Sequence, residues 1–420
     1  MKYSNKNPVV VLGGGIAGIT AALELARLKV PVALVEKSPF FGGWAARFCC
    51  KATDVCQKCG SCLVEQRLRE LMQEPGITLY PHTELVRSQR DNGLYRLTFR
   101  QQPRRMDSQR CINCGICLDE CPASAEGAIL TAASATQHPR YAINPPGCLY
   151  FKEGSCRICQ ELCFPKAIDL DLPEATLNLK APALVLATGY QPVDPRCRPH
   201  YGYGFNPRVL TGWELEERLR RGELPAGADP NQPARQVAFI QCVGSRDQEH
   251  PYCSQVCCAY GLRLARLIRH RLPECELTTF YMDLQNVGLK AQKFQDEALA
   301  EVKLVRALPG DLAAAADGTV RLRYLDEASG GALSTTFDLV VLAVGLGPGP
   351  DNPRLAQMLD LDLTKDGFIK FPEAVGAGLA DHPGLFLAGT VAGPQGIADC
   401  IAQAMAAAQQ VRHYLKKVEK

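Results

Sequence analysis

The chain has 420 residues, 46% apolar and 22% charged, with a net charge of +3. That balance is ordinary for globular domains and gives no reason to expect nucleic acid or an anionic membrane surface as partner. No apolar run approaches the ~20 residues of a membrane span, and residues 1–7 carry no secretory apolar stretch, so a cytoplasmic location is expected. The anomaly is the 20 cysteines. A cytosolic chain does not keep so many as disulfides, and their spacings are those of metal ligands.

Residues 8–12 read as a short buried parallel strand, 16–28 as a helix and 32–35 as a second strand. Between the first strand and the helix stands Gly13-x-Gly15-x-x-Gly18, and Glu36 closes the second strand. The spacing suits a dinucleotide pyrophosphate: a tight turn at Gly13, close backbone approach at Gly15, helix–strand contact at Gly18. The helix N-terminus offers free N–H groups to the phosphates, and Glu36 can accept from ribose hydroxyls. Ala17 and Lys37 belong to the same expected contact set. A Gly- and Cys-rich stretch over 42–62 leads to an amphipathic helix over 63–73, and 77–100 alternates like strands.

From 103 to 170 the composition changes to cysteines and prolines, as in a small inserted domain. Strand patterning returns at 175–179 and at 184–189, the latter ending Ala187-Thr188-Gly189. Residues 197–235 are polar and Pro/Gly-rich, with one short helix near 213–221. A second αβ unit runs from 237 to about 345. A last strand over 385–389 precedes a helix over 396–418, which Gly396 and Ile397 open. The expected domains are 1–102, 171–232 and 346–420 for a discontinuous first unit, 103–170 for the insert and 233–345 for the second unit.

Ala187-Thr188-Gly189 and the 385–390 segment resemble elements of two-dinucleotide-domain flavoproteins of the thioredoxin-reductase kind, which favours FAD. Gly43 and Arg47 resemble that family's extra pyrophosphate contacts. Its last segment usually ends Gly-Asp; here it ends Gly389-Thr390, so a hydroxyl must substitute. The family's second glycine fingerprint, for a nicotinamide, is missing: the strand at 237–240 runs into Gln241-Cys242-Val243-Gly244-Ser245-Arg246. Electrons are therefore expected to pass through metal centres or partner proteins.

The insert holds Cys111-x2-Cys114-x2-Cys117-x3-Cys121-Pro122, the bacterial ferredoxin run for [4Fe–4S] binding. Cys148 and Cys156-x2-Cys159-x3-Cys163 follow. If the last cysteines cross over, Cys111, Cys114, Cys117 and Cys163 form one set, and Cys121, Cys148, Cys156 and Cys159 the other. Zinc is the alternative, though it prefers two separated pairs around one ion. Cys56, Cys59 and Cys62 resemble a further cluster triplet, with Cys49 or Cys50 as fourth ligand. Cys197, Cys275 and Cys400 have no such partners; Cys275 and Cys400 are expected as buried core thiols. Arg67, Arg69, Arg104, Arg105 and Arg110 read as a solvated basic face or a docking face for an acidic partner.

Cys242-Val243-Gly244-Ser245-Arg246 with Tyr252-Cys253-Ser254-x-Val256-Cys257-Cys258 closely resembles the A subunits of heterodisulfide reductase and its relatives, among them the A subunit of the quinone-interacting membrane-bound oxidoreductase complex. The resemblance spans essentially the whole chain. It implies an α/β, thioredoxin-reductase-like FAD-binding Rossmann-type fold with a second αβ subdomain and an inserted two-cluster ferredoxin-like domain. It implies a [4Fe–4S] cluster on Cys242, Cys253, Cys257 and Cys258. It also implies assembly with other redox subunits: heterodisulfide reductase B/C-like, hydrogenase- or formate-dehydrogenase-type, or quinone-module chains, a dimer among the arrangements expected. The sequence departs from the family in three ways. It ends without the C-terminal two-cluster module of long members. Its segment from Cys49 to Cys62 is richer in cysteine. Arg263 replaces a lysine thought to sit near the flavin, and so is expected as a catalytic group that keeps its charge but cannot release a proton near neutral pH. The expected function is that of an oxidoreductase component interconverting two-electron and one-electron transfer, with relay favoured over flavin-based bifurcation. The rivals are a one-electron wiring component and a zinc-bearing redox scaffold.

Overall fold

The computed structural model describes residues 7–285, 291–327, 329–370 and 382–418, so residues 1–6 of the N-terminal reading lie outside the described residues. Apolar four-residue runs become the centre of a five-stranded parallel sheet. Its order is Leu385–Leu387, Leu184–Leu186, Val9–Leu12, Val32–Val35, Ile77–Tyr80. Three distant stretches of chain thus build one sheet. The first four strands in that order are buried throughout, as expected of a parallel sheet covered on both faces.

The Ile16–Arg27 helix is buried over most of its length and packs with Ser61–Gln73 and Ile397–Val418 on one face of this sheet. The other face meets an antiparallel sheet of Thr83–Asp91, Leu94–Gln101 and Ala175–Ala181 through Leu85, Tyr95, Leu97 and Phe99. The insert leaves this sheet at Gln101 and returns at Ala175, which are register partners. Its two ends therefore lie side by side, and the parent unit closes beneath it without a long loop.

Within the insert, Ile129–Thr131 pairs antiparallel with Tyr141–Ile143. A bridge joins Met106 to Ile168, and short helices start at Ile116, Leu149 and Ile158. Gln137 docks the insert on the parent unit: its side chain accepts from Phe41 N (2.7 Å) and donates to Phe41 O (3.0 Å).

The second unit is a parallel sheet in the order Val209–Thr211, Leu339–Val344, Gln236–Val243, Glu276–Tyr281, Lys303–Arg306. Its first strand lies inside the stretch read as polar and irregular. Three buried residues suffice for an edge strand there, too few for a periodic signal. Thr211 then caps the Gly212–Arg220 helix in a reciprocal box with Glu214.

Candidate functional site

The glycine turn is shaped by contact. Gly13 has φ +103°, and a Cβ there would lie 2.2 Å from Ala187 O; one on Gly18 would lie 1.8 Å from Gly13 O. A Cβ on Gly15 would meet nothing within 4 Å, so open space faces the backbone where the helix begins. Gly43 lies against this opening, held by Gly42 N donating to Gly14 O (2.6 Å). Glu36 accepts from Gly14 N (2.6 Å) and Ser38 N (2.7 Å), and burial pushes its carboxyl upward. Thr188 presents a buried hydroxyl with no partner. Gly389 packs against Ala17 and donates to Gln403 (2.7 Å); Thr390 beside it is buried. An open strip of backbone, a helix N-terminus and an orphaned hydroxyl on facing segments fit a dinucleotide.

Two further residues of the expected contact set have protein partners. Lys37 binds Asp351 (3.0 and 2.9 Å) and Glu84 (3.2 Å). Arg47 is exposed and lies over the Trp44 ring at 4.7 Å. Gln137 and Gln403 went unnoticed in the sequence, where a lone glutamine carries no signal.

The insert divides its eight cysteines between two cavities. One is lined by Cys121, Cys148, Cys156 and Cys159, together with Pro122. The other is lined by Cys111, Cys114, Cys117 and Cys163, together with Pro165. The last cysteine of each run lines the other run's cavity, the division that crossed ligand sets require. Burial first, then neighbouring sulfurs, pushes Cys159 up to about 12 and Cys117 up to about 11. Such crowded thiols ionise only with a cation among them. Among the described residues no three His, Cys, Asp or Glu side chains converge tightly enough for a single metal ion.

In the second unit the central strand Gln236–Val243 ends in a turn with φ of +59° at Cys242, +70° at Gly244 and +60° at Arg246. Ser245 donates to Tyr252 O (3.0 Å), and Ser254 Oγ accepts from Leu346 N (2.9 Å). Arg246 forks onto Asp283. Cys257 and Cys258 open the Cys257–Arg271 helix. The thiols of Cys242, Cys257 and Cys258 are buried and hydrogen-bonded together; Cys257 is pushed up while its neighbours are pulled down. Cys253 is half-buried nearby, its sulfur accepting from Gln255 N at 3.3 Å. This loop occupies the strand-to-helix turn equivalent to the glycine turn of the first unit, so side chains fill the place of a second pyrophosphate.

The segment from Cys49 to Cys62 bridges the units. Cys49 is buried among Leu210, Leu215 and Leu264, its N–H donates to Glu216 (2.6 Å), and burial pushes its thiol up to about 12. Cys50, Cys56 and Cys62 are exposed and Cys59 half-buried. Arg263, expected beside the flavin, instead donates to Gln57 O (2.9 Å), lies over the Phe294 ring (5.2 Å) and is within electrostatic reach of Cys56 and Cys59. The Gln57 contact sets that orientation. The same loop touches the C-terminal helix, where Gly60 packs on Ile397; Gly396 immediately precedes it. Cys275 and Cys400 are buried, as expected. The basic-face reading fails at Arg105, which is only 7% exposed; it sits at the insert's neck rather than on a solvated face.

Comparison with known proteins accords with this geometry. Residues 8–143 match the family model described as FAD dependent oxidoreductase. The chain is 31% identical over 97% of its length to the A subunit of the H(2):CoB-CoM heterodisulfide,ferredoxin reductase of Methanothermobacter thermautotrophicus, covering 64% of it. It is 32% identical over 96% of its length to the iron-sulfur A subunit of the CoB–CoM heterodisulfide reductase of Methanocaldococcus jannaschii, covering 63% of that protein. The chain thus spans less than two thirds of these relatives. Thioredoxin reductases of Lactococcus lactis and T. acidophilum share the fold, with TM-scores of 0.54 and 0.52 at 14% and 13% identity, covering 98% of this chain and 100% and 98% of theirs. Built on a thioredoxin-reductase-like α/β fold, the chain is similar over nearly all its length to heterodisulfide reductase A subunits and matches the FAD dependent oxidoreductase model over its first third.

Proposed function

We propose that the chain is the FAD- and [4Fe–4S]-containing electron-transfer component of a multi-subunit, heterodisulfide-reductase-like oxidoreductase. The observation that carries the reading is the pair of cavities, each lined by four cysteines drawn from two runs. When bound, FAD would supply exchange between electron pairs and single electrons, and the clusters single-electron transfer. Gly13, Gly15, Gly18 and Gly43 would seat the pyrophosphate; Thr188, Gly189, Gly389 and Thr390 would face the rest of the cofactor. Cys242, Cys253, Cys257 and Cys258 would hold a third cluster. Cys56, Cys59 and Cys62 would hold a fourth. Its remaining ligand is Cys50, because Cys49 is committed to the core of the second unit.

Partner redox chains follow from the relatives' names as A subunits of reductase complexes. Among the described residues no helix is long and apolar enough to cross a membrane. The proposed site of action is the cytoplasm, with electrons handed to such chains or to a quinone module.

Anaerobically purified protein is expected to be brown, with FAD and with about four irons and four sulfides for each cysteine set. Zinc in place of iron, or colourless protein, would overturn the reading. Crossing of the ligands has its own test. Cys163→Ala combined with Cys114→Ala is expected to lose no more iron than either alone, because both serve one cavity. Cys163→Ala with Cys156→Ala is expected to lose about twice as much, two independent sites being additive. The opposite pattern in iron analysis would refute crossing.

A further inference from the structure

Arg105 stands at the neck of the insert. Its N–H donates to Pro103 O (2.9 Å) and its carbonyl accepts from Asp169 N (3.0 Å). The next residue, Met106, lines the Cys111 cavity together with Ile168. Its guanidinium lies 4.5 Å from the centre of the Phe151 ring. Phe151 belongs to the short Leu149–Glu153 helix that Cys148 caps, and its N–H donates to Cys148 O (3.1 Å).

Arg105 is 7% exposed, and its Nε and Nη1 have no hydrogen-bond partner. Leaving charged donors buried and unanswered is costly. The acidic groups within electrostatic reach are the Glu174 carboxylate, the Cys148 thiol and the Tyr150 phenol; burial lowers the Arg105 pKa. Glu174 is exposed, so solvent screens it. Cys148 is buried.

We infer that Arg105 is a potential-setting residue: its buried, unpaired guanidinium raises the reduction potential of the iron–sulfur centre held by Cys121, Cys148, Cys156 and Cys159. The inference rests on the cluster assignment above. Reduction by a neighbouring one-electron redox centre adds one negative charge to the cavity and moves no proton. A fixed cation beside Cys148 stabilises that added charge, and its free N–H groups are donors for cluster sulfur. Both charge and hydrogen bonds to sulfur set cluster potentials.

The test is an EPR-monitored redox titration of the whole chain, with iron and sulfide analysis. In Arg105→Gln and Arg105→Met, one [4Fe–4S] signal is expected to move to lower potential by at least a tenfold change in its one-electron equilibrium, 59 mV for n = 1. Iron, sulfide and the other signals are expected to stay. Arg105→Lys keeps the charge and is expected to lie closer to wild type than either neutral variant. Full iron with every signal at its wild-type potential in the neutral variants overturns the inference and leaves the cluster assignment standing. A wild-type chain without iron overturns both. Should the neutral variants fail to assemble, Arg105→Lys decides: an ammonium lacks the guanidinium's fixed fork of donors, so the same signal is expected to fall by a smaller step, and a signal at its wild-type potential overturns the inference.

Discussion

Replacing Lys51 by methionine is expected to destabilise the junction between the two αβ units by about 3–5 kcal/mol, the range for stranding one partner of a buried pair. Lys51 and Glu216 are each 1% exposed and stand 2.7 Å apart. The same carboxylate oxygen accepts from Cys49 N (2.6 Å), and the other oxygen has no partner. Lys51 also lies 4.7 Å from the centre of the Phe48 ring and 5.3 Å from that of Tyr260. Removing the ammonium leaves a carboxylate in a site that cannot hydrate it.

The double variant Lys51→Met, Glu216→Leu is expected to recover most of the loss, since an apolar pair of similar volume carries no desolvation cost. The probe is built in. The chain's two tryptophans, Trp44 and Trp213, lie 4.9 Å apart at this junction, with Phe48 stacked on Trp213 at 5.0 Å. Denaturant unfolding followed by tryptophan fluorescence therefore reports the junction. A Lys51→Met midpoint matching wild type would show that the pair does not hold the units together.

Substituting Gly18 by alanine is expected to weaken FAD binding roughly tenfold to a hundredfold, because overpacking costs about 1–3 kcal/mol and each 1.4 kcal/mol is tenfold. The clash is with backbone, Gly13 O at 1.8 Å, so helix and strand must separate and the turn must open. Gly15→Ala separates fold from ligand. Its added methyl meets no protein atom within 4 Å, so thermal unfolding of the flavin-free chain is expected to match wild type while FAD titration shows weakened binding. A Gly15→Ala chain that binds FAD normally would move the pyrophosphate away from this turn.

Expectation and structure part at identifiable places. The strand–turn–helix at 9–27, the acid at 36, the strands at 184 and 385 and the closing helix were all legible, because each is written in a contiguous run. Val209–Thr211 was hidden in a polar stretch, because an edge strand of three residues needs a neighbouring sheet more than a pattern of its own. Arg105 read as one of several basic residues; its burial depends on Phe151, 46 residues later. The role of Gln137 depends on the Phe41 backbone, 96 residues away.

Glycine and cysteine spacings carried the sequence reading furthest, because a turn around phosphates or a loop around thiolates is a short-range object whose geometry follows from a few consecutive peptide units. They were enough to raise the expectation of a dinucleotide cradle, of two ferredoxin-like cysteine runs with a further triplet, and of a missing second nucleotide turn; the flavin and the set from Cys242 to Cys258 came from family resemblance. Three decisions belonged to the tertiary structure: which cavity Cys121 and Cys163 line, that Cys49 turns into the core while Cys50 stays outside, and that Lys51 meets Glu216. Each depends on which distant segments pack together, and packing is settled by the burial of surfaces far apart along the chain, which no local spacing encodes.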